Sequence, residues 1–441
     1  TPNPKPQTPN PKPQTPEKEL VKNLTDNRAS LYLWLLILGV IMQRFARSCL
    51  EQLALRRSFA QKIHRICLTG GPCAGKTTAL DLIREKLEPT YKVFVVPELA
   101  TLTVLGGFDI RPPADTTKHA KFYVPYLGFQ KQLEDYFVNL AALEPEKDAV
   151  IMFDRGILDA LAYMQPEGRE KYIKLSGENF EQVRDTRYDM VIHMVTAANG
   201  AEKYYTLANN KARSEGIQQA IDIDNKIMQS WNGHPHHIII GNETTFNDKV
   251  TKVYNSIVSM LDYPKEVTYV NKFLVDPDFH YNQLPSNLNK QTFDEEITFL
   301  DEPEVEIIKN GQPHISYLKK RIASDSHVTY SYILRLLSAK REEMMELRRI
   351  ITEDDYLHRL AAQRDKTKAP ILKQVTVFID KGVIFNLETI RVGSNKVRLL
   401  KSKSKYKQGG GGLPIPSFLP IKDDITYNEN YFIQNLAKKG Q

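Results

Sequence analysis

Apolar and polar positions alternate in two different rhythms along this chain. From Gln61 onward, short apolar runs at Ile66–Leu68, Val93–Val96, Val150–Phe153, Met190–Val195 and His237–Ile240 are separated by stretches with helical spacing. Two such stretches are Leu80, Ile83, Leu87 and Phe129, Leu133, Tyr136, Leu140, each predicting one apolar helix face. Buried strands alternating with helices predict an α/β fold, a mostly parallel sheet with helices on both faces. Past Tyr263-Pro264 the rhythm changes. Strand-like segments at Val267–Val275, Ile315–Ile322, Thr329–Leu336, Met344–Ile351, Leu372–Ile379 and Val383–Ile390 are parted by polar insertions, with one helical stretch near Glu353–Gln363. This predicts a second, mostly antiparallel α+β domain. Lys396–Lys407 reads as a basic run without an acid, Gly409–Gly412 as a flexible joint, and the tail Leu413–Gln441 carries enough apolar residues to dock back. The divisions expected are therefore 1–30, 31–60, 61–263, 264–407 and 408–441.

Ahead of these domains the pattern is of another kind. Residues 1–14 are a double copy of T-P-N-P-K-P-Q, an extended spacer in which proline removes donors and fixes φ. Leu31–Met42 is apolar throughout but covers only about 18 Å as a helix, against a hydrocarbon core of about 30 Å. Met42–Gln61 holds Arg44, Arg47, Arg56 and Arg57 with the single acid Glu51, an Arg-rich, acid-poor pattern. A short membrane anchor, a mitochondrial presequence beginning at Met42 and a surface helix all remain open, with membrane attachment preferred.

Charge changes this picture little. The formal charge is +7, but residues 1–60 hold nine Lys/Arg and four Asp/Glu, so +5 lies there and Gln61–Gln441 is left with +2. A nearly neutral globular part argues against nucleic acid as a partner. Three cysteines without metal-ligand spacing argue against a disulfide framework or a structural zinc site.

The chemistry begins at Thr69–Thr78, T-G-G-P-C-A-G-K-T-T, which fits G-x-x-x-x-G-K-[ST] between an apolar run and a helical stretch. Glycines permit positive φ, backbone amides face a phosphate, and the following helix aims its positive end at it. The expected nucleotide contacts are Gly70, Gly71, Ala74, Gly75, Lys76, Thr77 and Thr78, with Lys76 on the β/γ-phosphates and Thr77 on Mg²⁺. Asp154 ends the run Val150–Phe153, where a carboxylate can hold Mg²⁺, and Arg155 follows it. Glu98, at the same sheet edge, and Arg213, before a helical stretch, complete the candidates for acid, base or phosphoryl clamp. The histidines His234, His236 and His237 lie around Pro235 in a turn and do not read as a metal site.

These motifs, with V-P-E-L-A-T, F-D-R-G-I-L-D-A, R-Y-D-M-V-I-H-M-V-T-A-A-N-G-A-E, A-R-S-E-G-I, W-N-G-H-P, K-F-L-V, Q-R-D and P-S-F-L-P-I-K-D-D-I-T, resemble the TRPL translocation defect family from about residue 62 onward. That family joins a NadR-like P-loop NTPase domain to a CYTH-like antiparallel tunnel domain. The resemblance implies GTP (or ATP) and Mg as cofactors, acidic phospholipids (phosphatidic acid or phosphoinositides) as partners, and a regulatory role in membrane-protein trafficking, with membrane-protein cargo or a membrane complex as a further partner, at the cytoplasmic face of a membrane.

The second domain departs from the CYTH pattern E-x-E-x-K: Glu266, Thr268, Val270 and Lys272 stand in the first strand, so the middle acid is missing. Tyr317, Val375 and Thr376 stand where basic residues are usual. Triphosphate hydrolysis is therefore not expected, and lipid phosphate is expected on Lys272, Lys319, Arg321, Arg335 and Lys373. Two other classes compete: a small-molecule kinase (nucleoside or ribosylnicotinamide type) with Asp154 or Glu98 as base and Arg213 as lid arginine, and a structural nucleotide-bound subunit of a membrane complex.

Overall fold

The computed structural model describes residues 61–110, 115–205, 216–261, 269–301, 314–337, 344–392, 395–404 and 413–437. The Pro-rich repeat, Leu31–Met42, the Arg-rich segment, Arg213, Glu266, Thr268 and Gly409–Gly412 lie outside them. From Lys62 onward the chain forms one unit containing two sheets. Among the described residues no helix is long and apolar enough to cross a membrane.

The first sheet contains β1 (Ile63–Thr69), β2 (Lys92–Val96), β3 (Ala149–Asp154), β4 (Met190–Met194) and β5 (His237–Ile240). Its order is β2-β3-β1-β4-β5, and every pair is parallel. Their continuous apolar character follows from burial on both faces. On one face, Leu80, Ile83 and Leu87 of α1 (Lys76–Leu87) meet Val250, Val253 and Ile257. On the other, Tyr123, Leu127 and Trp231 pack against Ile151 and Phe153.

The predicted face Phe129, Leu133, Tyr136, Leu140 is not the buried one: Phe129 is 51% and Tyr136 57% exposed. The core side of this helix (Thr116–Ala142) instead carries Tyr123, Leu127, Glu134 and Ala141. Glu134 can be buried there because Arg187 and the Tyr188 hydroxyl bond its carboxylate, and this acid conceals the true stripe in the sequence.

The second sheet is antiparallel, in the order β10-β9-β8-β7-β11-β12-β13-β6-β14. These strands are β6 (Tyr269–Val275), β7 (Lys290–Phe299), β8 (His314–Ile322), β9 (Val328–Leu337), β10 (Met344–Ile351), β11 (Ile371–Asp380), β12 (Val383–Val392), β13 (Asn395–Ser404) and β14 (Ile421–Asp424). The helix at Glu353–Gln363 stands where the spacing placed it, with Thr352 accepting from the Asp355 amide as its cap.

Two strands correct the sequence reading, and a third bears it out. Lys290–Phe299, taken as part of a polar insertion, is a central strand. Most of the basic run Lys396–Lys407 is β13, paired with both β12 and β6. The tail does dock, adding β14 to β6 and placing Ile425, Ile433 and Ala437 against Ile297, Tyr317, Ile390 and Leu399. Register then decides which side chains meet. Glu295 stands opposite Arg321 and Lys373, Arg335 opposite Glu346, and Lys401 opposite Lys272, so these charges share one face. Phe273, Phe378, Phe385, Leu387 and Leu400 lie on the reverse face, covered by Phe279 and Leu419.

Candidate functional site: a P-loop and a charged inner face

The loop between β1 and α1 takes its shape from residues at positive φ. Gly70 has φ 138° and Gly75 φ 84°. A Cβ on Gly70 would lie 2.0 Å from the Met194 carbonyl oxygen, and one on Gly75 2.4 Å from the Phe246 ring, so only glycine fits either place. Lys76 is buried and donates to the carbonyls of Gly70 (3.0 Å) and Gly71 (3.2 Å), which holds its ammonium across the loop. Burial, helped by Arg155, lowers its pKa to about 8, so an anion that restores the charge is favoured.

Beside it, the Thr77 hydroxyl donates to Asp154 Oδ2 at 2.9 Å. The other oxygen, Asp154 Oδ1, is buried without a hydrogen-bond partner among the described residues. Burial raises the Asp154 pKa despite Lys76. A carboxylate with one orphaned oxygen next to a P-loop hydroxyl suits Mg²⁺, which Thr77 and Asp154 would hold and which would neutralise phosphate oxygens there. We expect Asp154→Asn to weaken the magnesium dependence of nucleotide binding at least tenfold and leave metal-free affinity within about threefold, since an amide is a poor partner for a hard cation. Magnesium titrations that coincide for mutant and parent would remove Asp154 from the site.

Arg155 has φ 75°, and this left-handed backbone turns its guanidinium back across the strand ends. It pairs with Glu98, donates to the Gly70 carbonyl at 3.2 Å and lies 3.5 Å from Asp159. Glu98 also accepts from the Thr101 hydroxyl at 2.6 Å. Burial alone would raise the Glu98 pKa, but Arg155 and Lys76 hold it down to about 2, so it is an ionised acceptor. Ala74, Gly75, Lys76, Thr77, Thr78, Glu98, Asp154 and Arg155 line one cavity of about 1580 Å³, which continues along Phe122, Tyr123 and Tyr126. Gly71 has a different part: its amide donates to Asp224 at 2.6 Å rather than into the cavity.

Two further residues support the loop from behind: Asp224, which gave no sequence signal, and Trp231, which opens the motif W-N-G-H-P. Asp224 lies 3.1 Å from His193 while holding Gly71. Trp231 donates through Nε1 to Asp159 at 2.7 Å, and Asp159 accepts from Thr69 at 2.7 Å.

The second sheet brings Lys319, Arg321, Lys373, Lys272 and Arg335 together on its inner face, with Arg348 and Lys401 beside them. Glu295 binds Lys319 (3.2 Å), Arg321 (2.9 Å) and Lys373 (3.2 Å). Glu388 binds Lys373 (2.8 Å) and Lys401 (2.5 Å), and Glu346 binds Arg335 (2.9 Å) and Arg348 (3.0 Å). Each of these acids is paired with cations, and among the described residues no group of three or more His, Cys, Asp or Glu could hold a metal. Among the described residues cations outnumber acids on this face. Burial, with Lys401 and Arg335 nearby, lowers Lys272 to about 7, and its ammonium sits 4.2 Å above the Phe432 ring of the tail. Tyr317 and Val375 do stand on the inner face, whereas Thr376 lies on the reverse and bonds Thr292.

A parallel sheet, a loop of this geometry and a carboxylate at the end of the neighbouring strand define a P-loop nucleotide-binding domain. Residues 65–249 match the family described as AAA domain. No curated protein matches the chain. Solved structures similar to parts of it include the PH1819 protein from Pyrococcus horikoshii OT3 (13% identity, 32% of this chain and 80% of that one, TM-score 0.25). Others are the inorganic triphosphatase NE1496 (13% identity, 38% and 93%, TM-score 0.24) and a conserved hypothetical protein from Pyrococcus furiosus (15% identity, 32% and 80%, TM-score 0.23).

Proposed function

We propose that the chain is a GTP-binding regulatory protein that also takes up the phosphate headgroups of acidic phospholipids, at the cytoplasmic face of a membrane and in membrane-protein trafficking. The P-loop with Lys76, Thr77 and Asp154 supports the nucleotide half; the guanine preference and the trafficking role rest on the sequence resemblance. One observation carries the lipid half: among the described residues cations outnumber acids on the inner face of the antiparallel sheet, and the partly buried Lys272 sits there with a depressed pKa of about 7. Cations held out of water without enough counter-charge are stabilised by an incoming anion. Because Glu295, Glu346 and Glu388 are already paired, they are poorly placed to hold the metal that triphosphate hydrolysis would need.

The full chain should sediment with vesicles containing phosphatidic acid and not with phosphatidylcholine alone. Binding should fall as salt rises, because attraction to an anionic surface is screened over roughly 8 Å at physiological ionic strength. Salt-insensitive binding to neutral vesicles, or release of phosphate from tripolyphosphate at enzyme-like rates, would overturn the reading.

A further inference from the structure

One sequence motif, W-N-G-H-P at Trp231–Pro235, has no part in either site, yet it touches both. It begins where the helix Ile217–Ser230 ends. Trp231 is fully buried and donates to Asp159, the carboxylate that lies 3.5 Å from Arg155 in the nucleotide cavity. The indole also leaves no room at Gly156, where a Cβ would come within 2.6 Å of it, so ring and strand end move together or not at all.

One residue on, the chain crosses to the second sheet. Asn232 is 2% exposed and donates to the carbonyls of Asn289 (3.0 Å) and Val377 (3.3 Å). Gly233 has φ 89°, and a Cβ there would lie 2.9 Å from the Phe293 ring on the inner face. Its carbonyl accepts from Arg321 at 2.8 Å, and the carbonyl of Pro235 accepts from Arg348. Two cations of the charged inner face are thus held partly by backbone carbonyls of the nucleotide-binding half.

We infer that this turn is a thermodynamic link between the two sites, and that an anion on the inner face weakens nucleotide binding at the P-loop. The inference rests on the proposed function, which makes the inner face an anion site. A phosphate group recruits guanidinium donors in preference to neutral carbonyls, because an anionic acceptor adds ion-pair attraction and can accept two parallel N–H bonds from one fork. An anion reaching Arg321 and Arg348 therefore competes with Gly233 and Pro235. Losing those bonds frees the turn, and with it Trp231, Asp159 and the strand end that carries Asp154 and Arg155. The differential interaction that such coupling requires is the exchange of carbonyl for phosphate at two arginines. Coupling of this kind is reciprocal: nucleotide must weaken the anion by the same factor.

The test uses the full chain, with Mg·GTP as nucleotide probe and inositol 1,4,5-trisphosphate as soluble anion probe, each titrated by calorimetry alone and in the presence of saturating amounts of the other. Coupling is expected to weaken each Kd at least fivefold, within the usual range of roughly 5–150-fold for coupled sites, with equal factors in both directions. Trp231→Phe keeps an aromatic ring but loses the bond to Asp159, and Asn232→Ser shortens the contact with the second sheet. Asn232→Ser should still bind both ligands singly, and in either variant the coupling factor should fall to within twofold of unity. Two ligands that bind the parent protein independently, or that tighten one another, overturn the link while leaving the proposed function intact. Failure of the anion to bind at all removes both. Coupling undiminished in both variants overturns the assignment to this turn.

Discussion

Lys76→Ala is expected to abolish measurable Mg·nucleotide binding. Lys76 is enclosed, bonded to two loop carbonyls and depressed to about pKa 8, so the loop holds its ammonium where phosphate charge arrives. Removing one partner of a buried charge pair costs about 2–5 kcal/mol, or roughly thirty-fold to several-thousand-fold in Kd at about 1.4 kcal/mol per tenfold. The fold should survive, because α1 keeps Leu80, Ile83 and Leu87 in the core. Calorimetry checks the affinity and far-ultraviolet circular dichroism the fold. Unchanged affinity would refute the site.

Glu295→Ala should destabilise the protein more than any single change on the surface. The carboxylate is 4% exposed and binds Lys319, Arg321 and Lys373. Burial alone would raise its pKa, but these three cations hold it well below the usual range. Removing it leaves buried cations facing one another, a cost of about 3–5 kcal/mol. Urea unfolding measures the loss, and tripolyphosphate should restore part of it. A loss below about 1 kcal/mol would mean that the inner face is wet and cheaply charged.

The pH dependence follows the same pairs. Glu388 is also pulled below its ordinary 4.5, to about 2, by Lys373 and Lys401, which outweigh burial. A carboxyl whose folded pKa is depressed contributes stability that is complete above the unfolded value and is lost as pH falls toward the folded one. Acid unfolding of the parent should therefore set in below about pH 4.5 and continue toward pH 2, and the Glu295→Ala variant should show a shallower loss in that window.

The P-loop and its strand were legible because their chemistry is local. Gly70, Gly75, Lys76 and Thr77 fit the phosphate-loop pattern within one stretch of chain, and Asp154 marks its strand by ending an apolar run. The second sheet was legible only where apolar residues dominate. Lys290–Phe299 reads K-Q-T-F-D-E-E-I-T-F, and its inner-face positions include Glu295, whose burial depends on cations 24, 26 and 78 positions away, a dependence that no local pattern reveals. Lys396–Lys407 reads as a basic run without an acid because Lys401 finds Glu388 only across the ladder. Asp224 was invisible for a related reason, since it reaches Gly71 from 153 positions away, and the motif W-N-G-H-P marks Trp231 without revealing its bond to Asp159.

The joint between the sheets receives its bonds from Arg321 and Arg348 on backbone oxygens, those of Gly233 and Pro235. Recognition written in main chain is indifferent to most side-chain replacements and sensitive to the path of the chain. Side chains cross the joint as well: Asn179 donates to Asp325 at 2.7 Å, and Arg184 lies over the Phe293 ring. A P-loop half from a different source would therefore have to bring both a turn with a glycine at the left-handed position and these flanking pairs. Recombination, natural or engineered, would then select on the turn and its flanking pairs together.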